Sequence, residues 1–245
     1  RDQAISIHGF KKEQVHTLGT PRFESYFSMR NAKPVAPYDF PYILFVGSAM
    51  PFDELGALHA IEDYLRTQID ANDQLKIVYR PHPWQHKRSS FNVFRETDYS
   101  FTILDTQLSN SVANVPRMDR DRMRFQPALD YYPGLLANAQ IVVGPLTTML
   151  FEAALCLRPV VALAYSDGHH FNTSRRYFSH FDGLERVPGF YFCESRNSLQ
   201  SVLKKASNHV EIGPAESDQI TSRYLFRSNQ GYNRSLENLI SSIIE

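Results

Sequence analysis

The stretch Gly144-Pro145-Leu146-Thr147-Thr148-Met149-Leu150-Phe151-Glu152-Ala153 constrains the fold of this chain more than any other. An apolar run, Ile141-Val142-Val143, leads into it, and a second, Pro159-Val160-Val161-Ala162-Leu163-Ala164-Tyr165, follows about one helix length later. Two β-branched runs separated by a helical segment make a βαβ unit, whose strands lie parallel. The helix opens on a hydroxyl-rich turn. Its first N–H groups have no intrahelical partners and carry partial positive charge, a setting that suits a phosphate. The expectation is a nucleotide-diphosphate site.

The rest of the chain supplies more of the same alternation. Tyr42-Ile43-Leu44-Phe45-Val46 reads as a strand closing on Gly47-Ser48. Residues 53–69 carry apolar positions at helical spacing, through Leu55, Leu58, Ile61, Leu65 and Ile69. Leu75–Tyr79 and Ser100–Leu104 are further strands, a short helix is expected around Pro133–Asn138, and Val187–Phe192 is a last strand. Ser198–Ala206 and Gln219–Ile244 read as helices. The fold expected is α/β: a Rossmann-like parallel sheet with helices on both faces.

Residues 1–38 read as the end of a preceding domain and a linker, with a short strand over His16–Phe23 and repeated prolines at Pro34 and Pro37. The nucleotide-binding domain is placed at 39–210 and a helical segment at 211–245. The opening residue is Arg1, which suggests an excised piece. Residues 105–127 lose all periodicity and gather Arg117, Arg120, Arg122 and Arg124, as in a long surface loop.

Composition narrows the function classes. The 26 basic and 26 acidic residues cancel, so no global field recruits nucleic acid. Two cysteines, Cys156 and Cys193, imply no disulfide framework and fit a reducing cytosol. No apolar run has membrane-spanning length. Neither a Gly-x-Gly-x-x-Gly after a strand, nor a Gly-Lys-Ser/Thr phosphate loop, nor a Gly-x-Ser-x-Gly elbow occurs.

In a parallel α/β sheet, ligands sit at the carboxyl ends of the strands. Gly47-Ser48, Arg80-Pro81-His82-Pro83, Gly144–Thr148 and Asp167-Gly168-His169-His170 all follow strand ends, so one rim should gather them. A capping box needs Glu or Gln three residues after its Thr, and here Leu150 and Phe151 stand in those places. Glu152 is therefore expected to accept ribose hydroxyls, with Thr147, Thr148 and Ser48 on the phosphates. Gly47 and Gly144 let backbone approach the donor, and Asp167 touches it. Arg80 and His82 suit the departing charge. Adjacent histidines at 169 and 170 lack a third spaced ligand, and Asp119-Arg120-Asp121 sits among arginines, so no metal or cofactor is expected.

With these residues assembled, the chain resembles the C-terminal, donor-binding half of a GT-B glycosyltransferase. The closest pattern is that of bacterial surface-polysaccharide enzymes, the CDP-glycerol glycerophosphotransferases and capsule Kdo transferases. Their Arg-x-His-Pro element is matched by Arg80-Pro81-His82-Pro83. Their Asp and Leu-Leu-Ala helix are matched by Asp130 and Leu135-Leu136-Ala137. Their paired hydroxyls, acid and Pro-Val strand are matched by Thr147, Thr148, Glu152 and Pro159-Val160. The family usually has Ser-Ser and Asp where this chain has Thr-Thr and Glu.

The resemblance covers about residues 40–170 and implies transfer of a sugar or polyol-phosphate from a CMP-, CDP- or UDP-linked donor to a bacterial surface polysaccharide. Its catalytic residues would be His82 and Arg80, without a metal. Implied partners are the donor, a glycan or lipid-linked acceptor and an N-terminal acceptor domain that supplies the base, with no nucleic acid. The implied location is cytoplasmic, with peripheral association at the inner membrane face. The rival readings are a UDP-sugar 2-epimerase-like enzyme, a non-catalytic nucleotide-binding domain of a larger synthase, and a metal-dependent transferase using Asp119 and Asp121.

Overall fold

The computed structural model describes residues 2–29, 34–68, 74–82, 94–107, 131–170, 181–210 and 228–244, with single positions at 213, 218 and 222. Six strands form one parallel sheet: β1 (Tyr42–Val46), β2 (Lys76–Arg80), β3 (Thr102–Leu104), β4 (Ile141–Pro145), β5 (Val160–Leu163) and β6 (Phe190–Cys193). Their order is β3-β2-β1-β4-β5-β6. This is the doubly wound order, with the strand direction of growth reversing between β1 and β4. All five residues of β1 and of β4, and all four of β5, are buried, as expected for strands covered on both faces.

Side-chain alternation divides the core in two. Tyr42, Leu44 and Val46 face one cluster and Ile43 and Phe45 the other. The first cluster is covered by α2 (Glu24–Met29), α4 (Tyr131–Ala137) and α5 (Thr148–Leu155). The second is covered by α3 (Glu54–Arg66) and α6 (Leu199–Ser207). Within α3, Ala57, Leu58, Ile61 and Leu65 recur at helical spacing and are buried. Each such Leu or Ile contributes about 2 kcal/mol of transfer free energy. Tyr42 ties the layers together by donating its hydroxyl to the Leu135 carbonyl at 2.6 Å.

Two expectations change. The segment 16–23 is not a strand: Thr20 stands, extended, just before a 3-10 turn, Pro21–Phe23, which runs into α2. Proline at the start of a helical turn loses no hydrogen bond, and the resulting spacing turns Tyr26 and Phe27 into the core. The N-terminal segment is thus packed on the α/β body. Of the C-terminal helix expected over 219–244, the described residues hold α7 (Tyr232–Ile244), which follows Gly231, whose φ of +78° cannot continue a helix. A further short helix, α1 (Asp2–Ser6), was not anticipated. The basic loop around Arg117–Arg124, Pro83, Asp119, Asp121 and Asp130 lie outside the described residues. No helix among the described residues is long and apolar enough to cross a membrane.

Candidate functional site

Two glycines bring three strand ends into contact. A Cβ on Gly47 would lie 2.7 Å from the His82 nitrogen and 2.9 Å from Pro81 Cα. A Cβ on Gly144 would lie 2.3 Å from the Val46 carbonyl oxygen. Only a residue without a side chain lets β4 close on β1, and the β1 loop close on the end of β2. These approaches bring the ends of β1, β2 and β4 together at the switch point; Gly47, Arg80, His82 and Gly144 stand there, Ser48 follows Gly47, and Thr147 and Thr148 follow the end of β4.

Thr147 stands at the N-cap of α5 in an extended conformation, and its side chain makes no capping hydrogen bond. Thr147 is half-buried and Thr148 exposed, so both hydroxyls and the first amides of α5 are offered to the rim. Ser48 differs. It is buried, its N–H donates to Glu54 Oε1 at 3.0 Å, and its hydroxyl accepts from the Met50 N–H at 3.1 Å. Glu54 also accepts from the Tyr79 hydroxyl at 2.6 Å, so this buried carboxylate shapes the β1 loop. Its only trace in the sequence is that of a helix-opening acid beside the capping residue Asp53, which does not by itself mark it out from an ordinary first-turn acid.

Arg80 ends β2 at 6% exposure, donates to the Tyr132 hydroxyl at 2.9 Å and lies 5.1 Å over that ring. His82 has its pKa lowered to about 4, by burial first and then by the Arg80 charge. At neutral pH it is an uncharged imidazole.

Asp167 is drawn into the loop itself. Its Oδ1 accepts from the His169 and His170 N–H groups, and its Oδ2 from the Asp53 N–H at 2.7 Å and the His170 ring. Burial pushes its pKa up, but these hydrogen bonds outweigh that and the net shift is downward. It ties the β5 and β1 loops together, and a donor meets four acceptor positions already filled.

Glu152 departs most from expectation. At 1% exposure it accepts from the Tyr26 hydroxyl at 2.8 Å and from the Arg22 guanidinium. Burial and the Glu152 charge push the Tyr26 pKa far up, so its hydroxyl stays a donor. The carboxylate fastens α2 to α5, and a ribose reaches it only by displacing Arg22. Sequence spacing carried no sign of this pairing, because the partners lie 130 and 126 residues away.

Two further features stand off the expected set. Asp105, just beyond β3, is fully buried, and its Oδ1 accepts from the Tyr131 hydroxyl at 2.6 Å, the Tyr38 hydroxyl at 3.0 Å and the Gln107 N–H at 3.2 Å. A cleft of about 830 Å³ lies elsewhere, lined by Pro21, Glu24, Tyr232, Arg234 and Glu237 among others, with no strand-end residue in its wall. The chemistry gathers at the rim, so the rim carries the functional reading. Among the described residues no three His, Cys, Asp or Glu side chains are grouped to hold a metal ion.

No protein-family model and no curated protein matches the sequence. Solved structures do. A histidine-to-alanine variant of the wall teichoic acid polymerase TagF matches with a TM-score of 0.52 and 14% identity, over 99% of this chain and 55% of that one. The fold is of the GT-B type. A further TagF variant, soaked with CDPG, matches with a TM-score of 0.50 and 14% identity, over 99% of this chain and 55% of the polymerase. UDP-GlcNAc 2-epimerase from Methanocaldococcus jannaschii gives a TM-score of 0.43 and 13% identity, over 87% of this chain and 56% of the epimerase. The chain thus spans little more than half the length of the GT-B structures it matches.

Proposed function

We propose that this chain binds a nucleotide-activated donor at the switch-point rim and serves transfer of a sugar or polyol-phosphate to a bacterial surface polysaccharide. The observation that carries this reading is the uncapped start of α5. Thr147, whose side chain makes no capping hydrogen bond, and the exposed Thr148 stand just past β4 at the switch point, where Gly144 packs on Val46 and Gly47 on His82. A diphosphate docked there meets helix-terminal N–H groups on one side and His82 on the other, with the positive charge of the buried Arg80 behind it. As the bond to the transferred group breaks, negative charge grows on the departing phosphate. The same prearranged donors stabilise it. His82, uncharged at rest, first donates a hydrogen bond. The phosphate's charge raises its proton affinity, so the ring takes up a proton from water, and the imidazolium formed gives that proton to the leaving oxygen. Glu152 takes no ribose in this reading; it holds Arg22.

A thermal-shift series with CMP, CDP, UDP and GDP tests the proposal. Ligand at a hundredfold its Kd adds about 2.7 kcal/mol, which corresponds to a rise of roughly 5 °C or more. The diphosphates should give that rise, CMP less, and Thr147→Val with Thr148→Val should remove it. No rise with any nucleotide would overturn the reading. Which base is preferred separates cytidine-linked from uridine-linked donors.

A further inference from the structure

Two buried side chains of opposite charge at the ends of β2 and β3 each keep one polar atom without a hydrogen-bond partner, Arg80 Nε and Asp105 Oδ2. Arg80 is 6% exposed and Asp105 is fully buried. Each directly follows its member of the last β2–β3 pair, Tyr79 and Leu104, so they stand at one register level. Alternation along parallel strands puts both on the face covered by α4. Their other bonds agree, since Arg80 meets Tyr132 and Asp105 meets Tyr131, consecutive residues at the start of that helix. Neither orphaned atom bonds the other.

Buried polar atoms are almost always satisfied, and an exception calls for a cause. Holding the fold together does not supply one here. Asp105 Oδ1 alone takes two tyrosine hydroxyls and a backbone N–H, and the far end of the Arg80 guanidinium reaches Tyr132. What is left over is an N–H donor on one residue and a carboxylate acceptor on the next strand, with cancelling charges. A phosphate is drawn to the first and repelled by the second. A neutral group carrying a donor beside an acceptor satisfies both. Hydroxyls of a sugar or polyol have that chemistry, and so does the amide edge of a nucleobase. Tyr38, Tyr131 and Tyr132 are half-buried, so aromatic faces wall the corner on its outer side, a surface that suits either ring. The chain runs from Arg80 through Pro81 to His82, so the corner adjoins the rim directly.

We propose that the Arg80–Asp105 corner is the subsite for the uncharged, hydrogen-bonding part of the donor, entered as a tyrosine ring turns aside. It rests on the donor reading for the kind of ligand and extends that reading from the phosphates to the neutral moiety. Saturation-transfer NMR on the full chain with four phosphate-free probes tests it: glycerol, N-acetylglucosamine, cytidine and uridine. Asp105→Asn turns the acceptor into a donor, and Arg80→Lys keeps the charge but removes Nε. At least one probe should respond, and each variant should weaken it tenfold or more, with circular dichroism confirming the fold. A response from the polyol or sugar seats the transferred group there, and one from the nucleosides seats the base. No response from any probe, or one that both variants leave unchanged, overturns the proposal. CDP and UDP binding, read separately through the Thr147 and Thr148 variants, reports on the phosphate site alone.

Discussion

Glu62 and Asp105 are both fully buried carboxylates, and they sit at opposite ends of β3. Glu62, on α3, receives the N–H groups of Ser100, Phe101 and Thr102, the Thr102 hydroxyl and the Arg66 guanidinium. Every acceptor direction is used, in hydrogen bonds that anchor the start of the strand to the helix. Asp105, at the rim, crowds its protein partners onto one oxygen and leaves the other bare. The same chemical group is a fastener where it is saturated and a candidate recognition element where it is not. Burial alone does not tell the two apart; the count of filled acceptor positions does.

The contrast breaks most readily at Glu62. Glu62→Leu strands three amides and a hydroxyl in the interior and should cost about 4 kcal/mol in urea unfolding, summing roughly 1–3 kcal/mol per orphaned donor with partial relaxation. Burial raises the Glu62 pKa, but its hydrogen bonds carry it below the usual carboxylate value. Its stabilisation is therefore complete above about pH 4.3 and fades as pH falls through the lower folded pKa. The wild type should lose stability across that interval more steeply than Glu62→Leu.

Gly144→Val comes next. Its side chain meets the Val46 carbonyl oxygen and forces β1 and β4 apart, at a cost of about 3 kcal/mol. Nucleotide-dependent stabilisation should vanish with it, because the rim loses its shape.

Asp105→Asn should be mild, within about 1 kcal/mol of the wild type, since one oxygen still accepts the tyrosine hydroxyls. A loss as large as that of Glu62→Leu would erase the distinction between the two ends of β3.

The smallest effect concerns His82. Its folded pKa, near 4, lies below the unfolded value of about 6.5, so the neutral ring favours the fold above that pH. A modest stability loss between about pH 6.5 and 4 should be absent in His82→Asn. Bound CDP should move the ring titration, followed by NMR, upward.

Periodicity and strand-end grammar made the sheet legible. Tyr42–Val46, Ile141–Val143 and Val160–Leu163 announce themselves as apolar runs, and the residues after them reach the rim because parallel strands end on one side. The GT-B likeness read from Arg80-Pro81-His82-Pro83 and the Thr-Thr helix start agrees with the solved folds. What stayed hidden are pairings across long separations. Arg22 and Tyr26 claim Glu152, and Glu62 claims the start of β3, but a carboxylate on a helix face does not announce which distant donors folding will bring to it. Asp105 began a stretch with no period at all, so its burial under Tyr38 and Tyr131 left no trace in local spacing.

Both outermost strands of the sheet are short, three residues in β3 and four in β6, against five in the central β1 and β4. An edge strand offers unpaired backbone groups to any passing chain, and the hazard grows with its length and flatness. By placing the long apolar runs of β1 and β4 in the middle, the fold keeps its most adhesive backbone out of reach. Self-association through added strands should therefore be weak, and fibril formation on heating should wait for the sheet's centre to open.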